Sequence, residues 1–109
     1  MTDLARLQHI LDAIDEVAEQ VAKGRAVFDA DKLVSVFVRY QLQVIGEACS
    51  RLPKELLADH RDVPWRQIIG MRHILVHGYD QIDPAIIWNV AVNELPGLRS
   101  QMAAIADAG

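Results

Sequence analysis

The sequence has a single cysteine among 109 residues, so no internal disulfide can form. Cys49 sits in an apolar helical pattern and reads as a small buried side chain in a reducing compartment, without a partner at a catalytic spacing. No apolar run reaches the ~18 residues that a membrane span needs. The first residues, MTDLARLQHILDAIDE, are acidic where a secretory leader would be basic, so a cytoplasmic protein that makes no membrane contact is expected. Strand signals are missing as well: there are no Asn-Gly hairpin turns, no alternating runs, no repeat and no low-complexity tract. A general excess of positive charge is also absent. The net charge of −4 argues against a protein that coats nucleic acid without discrimination.

What the chain does contain is amphipathic helix. Leu4, Leu7, Leu11, Ile14, Ala18 and Val21 recur in steps of three and four, broadened by Ile10 and Val17. Gly24 comes next as a stop, and GRAVFDAD reads as a linker ending in Asp29 or Asp31 as a cap. The next segment, LVSVFVRYQLQVIGEACSRL, is apolar around most of its circumference. Val34, Phe37, Val38, Ile45 and Ala48 cannot share one narrow face with Leu33, Val36, Tyr40 and Val44. Such a helix is either central in a bundle or shared with a second subunit. Pro53 ends that helix or starts a short extra turn, and residues 53–63 read as a connection. Pro64 opens a third helix, Gly78 ends it, and Asp83–Pro84 opens a fourth that Pro96–Gly97 should kink or split. The expectation is one all-α domain over residues 1–109, a four- or five-helix antiparallel bundle that dimerises.

Charge is unevenly spread. Residues 1–24 carry five carboxylates against Arg6 and Lys23, whereas residues 50–80 hold five cations and three histidines against four carboxylates. The concentration of chemistry falls in MRHILVHGYD, residues 71–80, with Arg72, His73, His77 and Tyr79. His73 and His77, four apart, lie about 40° apart on a helix. A zinc site needs three or four ligands, and the HExxH pattern is not present, so no metal is assigned. Arg72 and His77 are five apart, about 140° around a regular helix, and are not face-mates. Three routes bring them together: a reaching arginine, an unwound helix end near Gly78, or a two-fold dimer placing two motifs at one cleft. The dimer also gives one site two histidines. RNA cleavage by acid–base catalysis uses such a pair, one removing the 2′-OH proton and one protonating the leaving oxygen. Arginine adds a permanent forked charge for the phosphate. The bland alternative is a surface arginine beside two hydrogen-bonded histidines.

Arg72-His73-Ile74-Leu75-Val76-His77 resembles the R-x4-6-H signature of the HEPN superfamily. Its flanks, PWRQIIGMRHILVHGYDQID and IIWNVAVNELPGLRSQM, together with VIGEACSRLP, are similar to the HepT toxin family over residues 31–102. That resemblance implies a helical-bundle ribonuclease of a toxin–antitoxin system, dimeric, independent of metal and free of cofactors, acting on RNA. It implies Arg72 and His77 as the catalytic pair and His73 as a supporting residue at a position often held by asparagine or aspartate. Tyr79 corresponds to the tyrosine to which a nucleotidyltransferase antitoxin of the MntA type attaches AMP. Glu47 matches a recurrent acidic position and is placed to pair with Arg72 across the bundle. Trp65 and Trp88 read as core or interface anchors, and Arg51 and Arg66 as candidate RNA contacts. The competing expectation is a non-catalytic helical partner of a nucleotidyltransferase.

Overall fold

A computed structural model describes residues 2–78 and 81–108. Helix α1 (Asp3–Val21) starts where Thr2 Oγ1 accepts a hydrogen bond from Ala5 N at 3.0 Å. Beyond its end lies Gly24, whose φ of +101° only glycine adopts without strain. The expected linker then forms a short helix, α2 (Arg25–Ala30), packed through the buried Phe28. Asp31 rather than Asp29 caps α3 (Lys32–Ser50), its carboxylate accepting from Leu33 N at 2.9 Å. The expected connection over 53–63 likewise contains a short helix, α4 (Lys54–Asp59). Helix α5 (Trp65–Gly78) comes next, its first turn anchored by Trp65, which is buried and donates Nε1–H to the His60 carbonyl at 2.9 Å. Asp83 caps α6 (Pro84–Asn89) through Ala85 N at 2.9 Å, with Pro84 in the first turn.

Pro96 does not split the C-terminal helical segment. A π-helical turn, Val90–Glu94, runs directly into α7 (Leu95–Ala108), with Leu95 N bonded to the Val90 carbonyl. Proline offers no N–H, and its ring presses on the carbonyl four residues back, here Val92. The wider turn immediately before Pro96 absorbs that misfit within the helix. No strand occurs among the described residues, and no described helix is long and apolar enough to cross a membrane.

The architecture is an antiparallel bundle of four long helical segments, α1, α3, α5 and the composite α6–π–α7, with α2 and α4 as short additions. Cross-links give the directions. Arg6 on α1 donates Nη1–H to the Arg51 carbonyl at the end of α3, and Gln41 Nε2 donates to Glu16 nearer their other ends. On the other flank of α1, Arg99 grips Asp15 with two hydrogen bonds of 2.6 and 3.1 Å. Helix α3 is central, packing against both α1 and α5. Its Val34, Val38, Leu42, Ile45 and Cys49 are buried, while Leu33, Val36 and Tyr40 stay exposed; of the two faces seen in the sequence, only Phe37 and Val44 fall between, both half-buried. The α1 seam is shifted from the expected one: Leu7, Ile10, Ile14 and Val17 are buried, whereas Leu4 is 56% exposed and Ala18 is exposed too. A helix meeting neighbours on two sides buries a stripe wider than a two-residue repeat.

Ile10 and Leu4 therefore separate by experiment. Ile10→Ala should lower unfolding stability by about 2–5 kcal/mol, and Leu4→Ala should change it by less than about 0.5 kcal/mol. Urea unfolding followed by circular dichroism measures both.

Candidate functional site

The motif residues lie on α5, a regular helix through Gly78, so the route by an unwound helix end before that residue does not operate. Two separate groupings result. Arg72 faces α3, where its Nε forms an ion pair with Glu47. His73 and His77 lie round the helix from it, exposed, with ring centroids 4.4 Å apart and planes tilted by 51°. Among the described residues no hydrogen bond or ion pair joins Arg72 to His77. This is the outcome that the 140° separation predicts. Tyr79, the expected modification site, lies outside the described residues. No group of three or more His, Cys, Asp or Glu side chains placed for a metal ion occurs among those described.

Glu47 holds two guanidinia at once. Arg51, one turn further along α3, donates its Nε–H to Glu47 Oε1 at 2.9 Å, while Arg72 occupies the other carboxylate oxygen. Both Arg72 and Glu47 side chains are 37% exposed, so the pair sits at a groove wall, accessible to a ligand. The Arg51 hydrogen bond holds the Glu47 carboxyl below the usual glutamate range. Slight desolvation opposes it, and the charges of Arg72 and Arg51 add to it.

Arg72 reaches this position because of Gly46, a residue whose role the sequence did not declare. A Cβ on Gly46 would lie 2.6 Å from the Cβ of Arg72 and 3.0 Å from the Ile68 carbonyl. The absent side chain lets α5 sit directly on α3, and any larger residue would lift Arg72 away from Glu47. A glycine inside an apolar helix was the available signal, since it costs about 1 kcal/mol against alanine unless packing needs it.

The groove beyond Arg72 has a volume of about 500 Å³ and is lined by residues of α1, α3 and α5, including Arg6, His9, Tyr40, Gln43, Glu47, Arg51 and Arg72. Of the side residues expected to touch RNA, Arg51 lies in it, and Arg66 is exposed on α5 outside it. Trp88 packs against Phe28 at 5.3 Å with Arg25 over its ring, an anchor for α2 rather than part of the groove. Cys49 is buried, and burial pushes its thiol up to about 12, so it is not a nucleophile. An apolar cavity of about 430 Å³ between α3, α5 and α7, walled by Ile68, Met71, Leu95 and Leu98, contains none of the motif residues.

The Glu47 bridge makes a pH prediction. A carboxyl whose pKa is lowered by folding stabilises the folded state above its unfolded value, and this contribution disappears as pH falls through the lowered value. Arg51→Ala should move the Glu47 titration, followed by carboxyl NMR, upward and closer to the ordinary glutamate value. Arg51→Lys should move it less. An unchanged titration in Arg51→Ala would contradict the bridge.

Residues 10–105 match the family described as Ribonuclease HepT-like. A protein of Caldanaerobacter subterraneus subsp. tengcongensis named "Putative RNase TTE0752" is 41% identical over 102 residues, covering 91% of this chain and 89% of that protein. "Probable ribonuclease HepT" of Thermococcus cleftensis is 30% identical over 97 residues, covering 87% of each. No solved structure matches the chain. With a family match that spans α3, the motif helix α5 and nearly all of the bundle, the chain belongs to the ribonuclease HepT-like family.

Proposed function

We propose that this HepT-like ribonuclease is the toxin of a toxin–antitoxin pair, cleaving RNA without a metal ion at a site shared by two copies. The observation that carries the reading is the Arg72-x4-His77 pair on α5, with its arginine clamped by Glu47 at the wall of an open groove. In this mechanism the 2′-oxygen of the substrate attacks the neighbouring phosphorus. One His77 imidazole takes the 2′-OH proton, and a second imidazole protonates the departing 5′-oxygen, leaving a 2′,3′-cyclic phosphate. Arg72 stabilises the extra negative charge on the phosphoryl oxygens as the bond order around phosphorus rises. Glu47 is a positioning residue: it fixes the guanidinium so that little reorganisation accompanies substrate binding. His73 supports His77, the two rings being in contact on one face.

A single α5 points Arg72 and His77 in different directions, which favours a composite site. The surface that suits a second copy is the apolar N-terminal end of the outer face of α3, before Tyr40. Leu33 is 81% exposed and Val36 50%, and Val76 of α5, which lines the same surface depression as Val36, is 42% exposed. Large side chains grouped in this way on a small protein mark an interaction surface. Tyr79, immediately after α5, is the proposed site of AMP attachment by an MntA-type nucleotidyltransferase. An adenylate there brings bulk and a negative charge next to the motif, opposing entry of an RNA phosphate.

Purified protein incubated with RNA in EDTA should cleave it. Arg72→Ala and His77→Ala should each lower the rate by about 10²–10⁴-fold. Cleavage that is unchanged in both would remove the catalytic assignment. If neither wild type nor variants cleave RNA under any condition, the chain acts instead as a non-catalytic partner of the nucleotidyltransferase.

Sedimentation and intact mass test the assembly and its control. The wild type should sediment as a dimer at micromolar concentration and Val36→Asp as a monomer with the same helical content. Co-expression with the nucleotidyltransferase should add AMP to the wild-type mass and not to Tyr79→Phe. A monomeric wild type would exclude the shared site.

A further inference from the structure

The groove beyond Arg72 carries more chemistry than cleavage requires. One line of α3 residues, Leu33, Val36, Tyr40, Val44, Glu47 and Arg51, advances in steps of three and four and so lies along one face of the helix. Its first half is apolar, and its second half is charged. Around that charged half the fold gathers Arg6 and His9 from α1 and Arg72 from α5. Three guanidinia face one carboxylate in about 500 Å³, on a chain whose net charge is −4. The carboxylates of α1, Asp3, Asp12, Asp15, Glu16 and Glu19, do not line this space.

The donors are only partly used. Arg51, with a side chain 64% exposed, gives its Nε–H to Glu47, and Arg6 gives one Nη1–H to the Arg51 carbonyl. A guanidinium carries five N–H donors, so most of them remain to serve a ligand. Tyr40 stands at the rim, 59% exposed, presenting an aromatic face where the apolar and charged halves meet. A cationic groove beside an exposed aromatic ring is the combination that holds single-stranded nucleic acid: charge tracks the backbone and the ring stacks a base.

We propose that this groove is a nucleotide subsite for single-stranded RNA, separate from the scissile position. Arg51 and Arg6 hold a backbone phosphate adjacent to the one at Arg72, Tyr40 stacks a base, and His9 hydrogen-bonds the same nucleotide. The inference deepens the ribonuclease reading and rests on Arg72 contacting RNA. It gives Arg51 and His9 a common task, although they are 42 residues apart in the chain, His9 within α1 and Arg51 capping the end of α3.

The test uses the full chain and a fluorescent single-stranded 2′-O-methyl oligonucleotide of mixed sequence, which cannot be cleaved because the 2′-oxygen is blocked. Anisotropy titrations give affinity and its salt dependence. Tyr40→Ala should weaken binding roughly 5- to 100-fold, while Tyr40→Phe, which keeps the ring, should bind as wild type. Arg51→Ala should weaken binding and reduce the slope of log affinity against log salt by roughly 0.7, the value for one lost phosphate contact on a single strand. Circular dichroism and sedimentation confirm that each variant keeps the wild-type fold and assembly. Wild-type affinity and slope in both Tyr40→Ala and Arg51→Ala would overturn the subsite, even if RNA is still cleaved. Variant-sensitive binding without any RNA cleavage would support the subsite and overturn only the nuclease mechanism. Loss of nucleotidyltransferase binding in these variants, with oligonucleotide binding intact, would reassign the groove to a protein contact and overturn the proposal.

Discussion

The site depends on the contact between α3 and α5 at Gly46. Because Gly46 has no side chain, the Cβ of Arg72 can rest against the α3 backbone, close enough for the guanidinium to reach Glu47 one residue further on. Gly46 and Glu47 thus act together, one removing bulk and the next supplying charge. The remainder of the bundle keeps that contact in place. Ile45 and Leu42 on α3 are buried, as is Leu75 on α5, and the flanking helices close over them. Close packing of this kind transmits displacement, so a core change near Gly46 would be felt at Arg72.

Glu47 then decides the electrostatics. A carboxylate bridging two arginines holds both in fixed directions while leaving the groove with a surplus of positive charge. Had Arg72 been paired with a carboxylate of its own and Arg51 with another, the groove would be neutral and poorly suited to phosphate. Sharing one carboxylate fixes two guanidinia and leaves one net charge uncompensated, and Arg6 adds another. In an acidic protein this excess stays local to the groove, since more distant carboxylates are screened within about 10 Å at ordinary salt.

Much of the fold was legible in the sequence. The four long helical segments, the Asp31 and Asp83 caps and the stop at Gly24 arise from periodicity and local hydrogen bonding, which act over a few residues. The misses came where a neighbouring element changed the local preference. GRAVFDAD lacks a long periodic pattern, yet it folds into the short helix α2 through the burial of Phe28, whereas the short extra turn allowed at Pro53 is α4, packed at its half-buried Leu56 and Leu57. Of the kink or split expected at Pro96–Gly97, the split does not occur: a π turn just before Pro96 distorts the helix without ending it.

At the site the division is similar. The sequence by itself determined that Arg72 and His77 diverge, because five residues on any regular α-helix span about 140°. It also determined that His73 and His77 meet, because residues four apart lie on one face. The pairing of Arg72 with Glu47 was expected from the family resemblance, but only the tertiary structure decided that Gly46 makes room for it, that Arg51 shares the same carboxylate, and that His9 and Arg6 join the same groove. The reason is range: helical periodicity fixes directions along one segment, whereas a groove is formed by the approach of three segments, which depends on how their buried faces pack together.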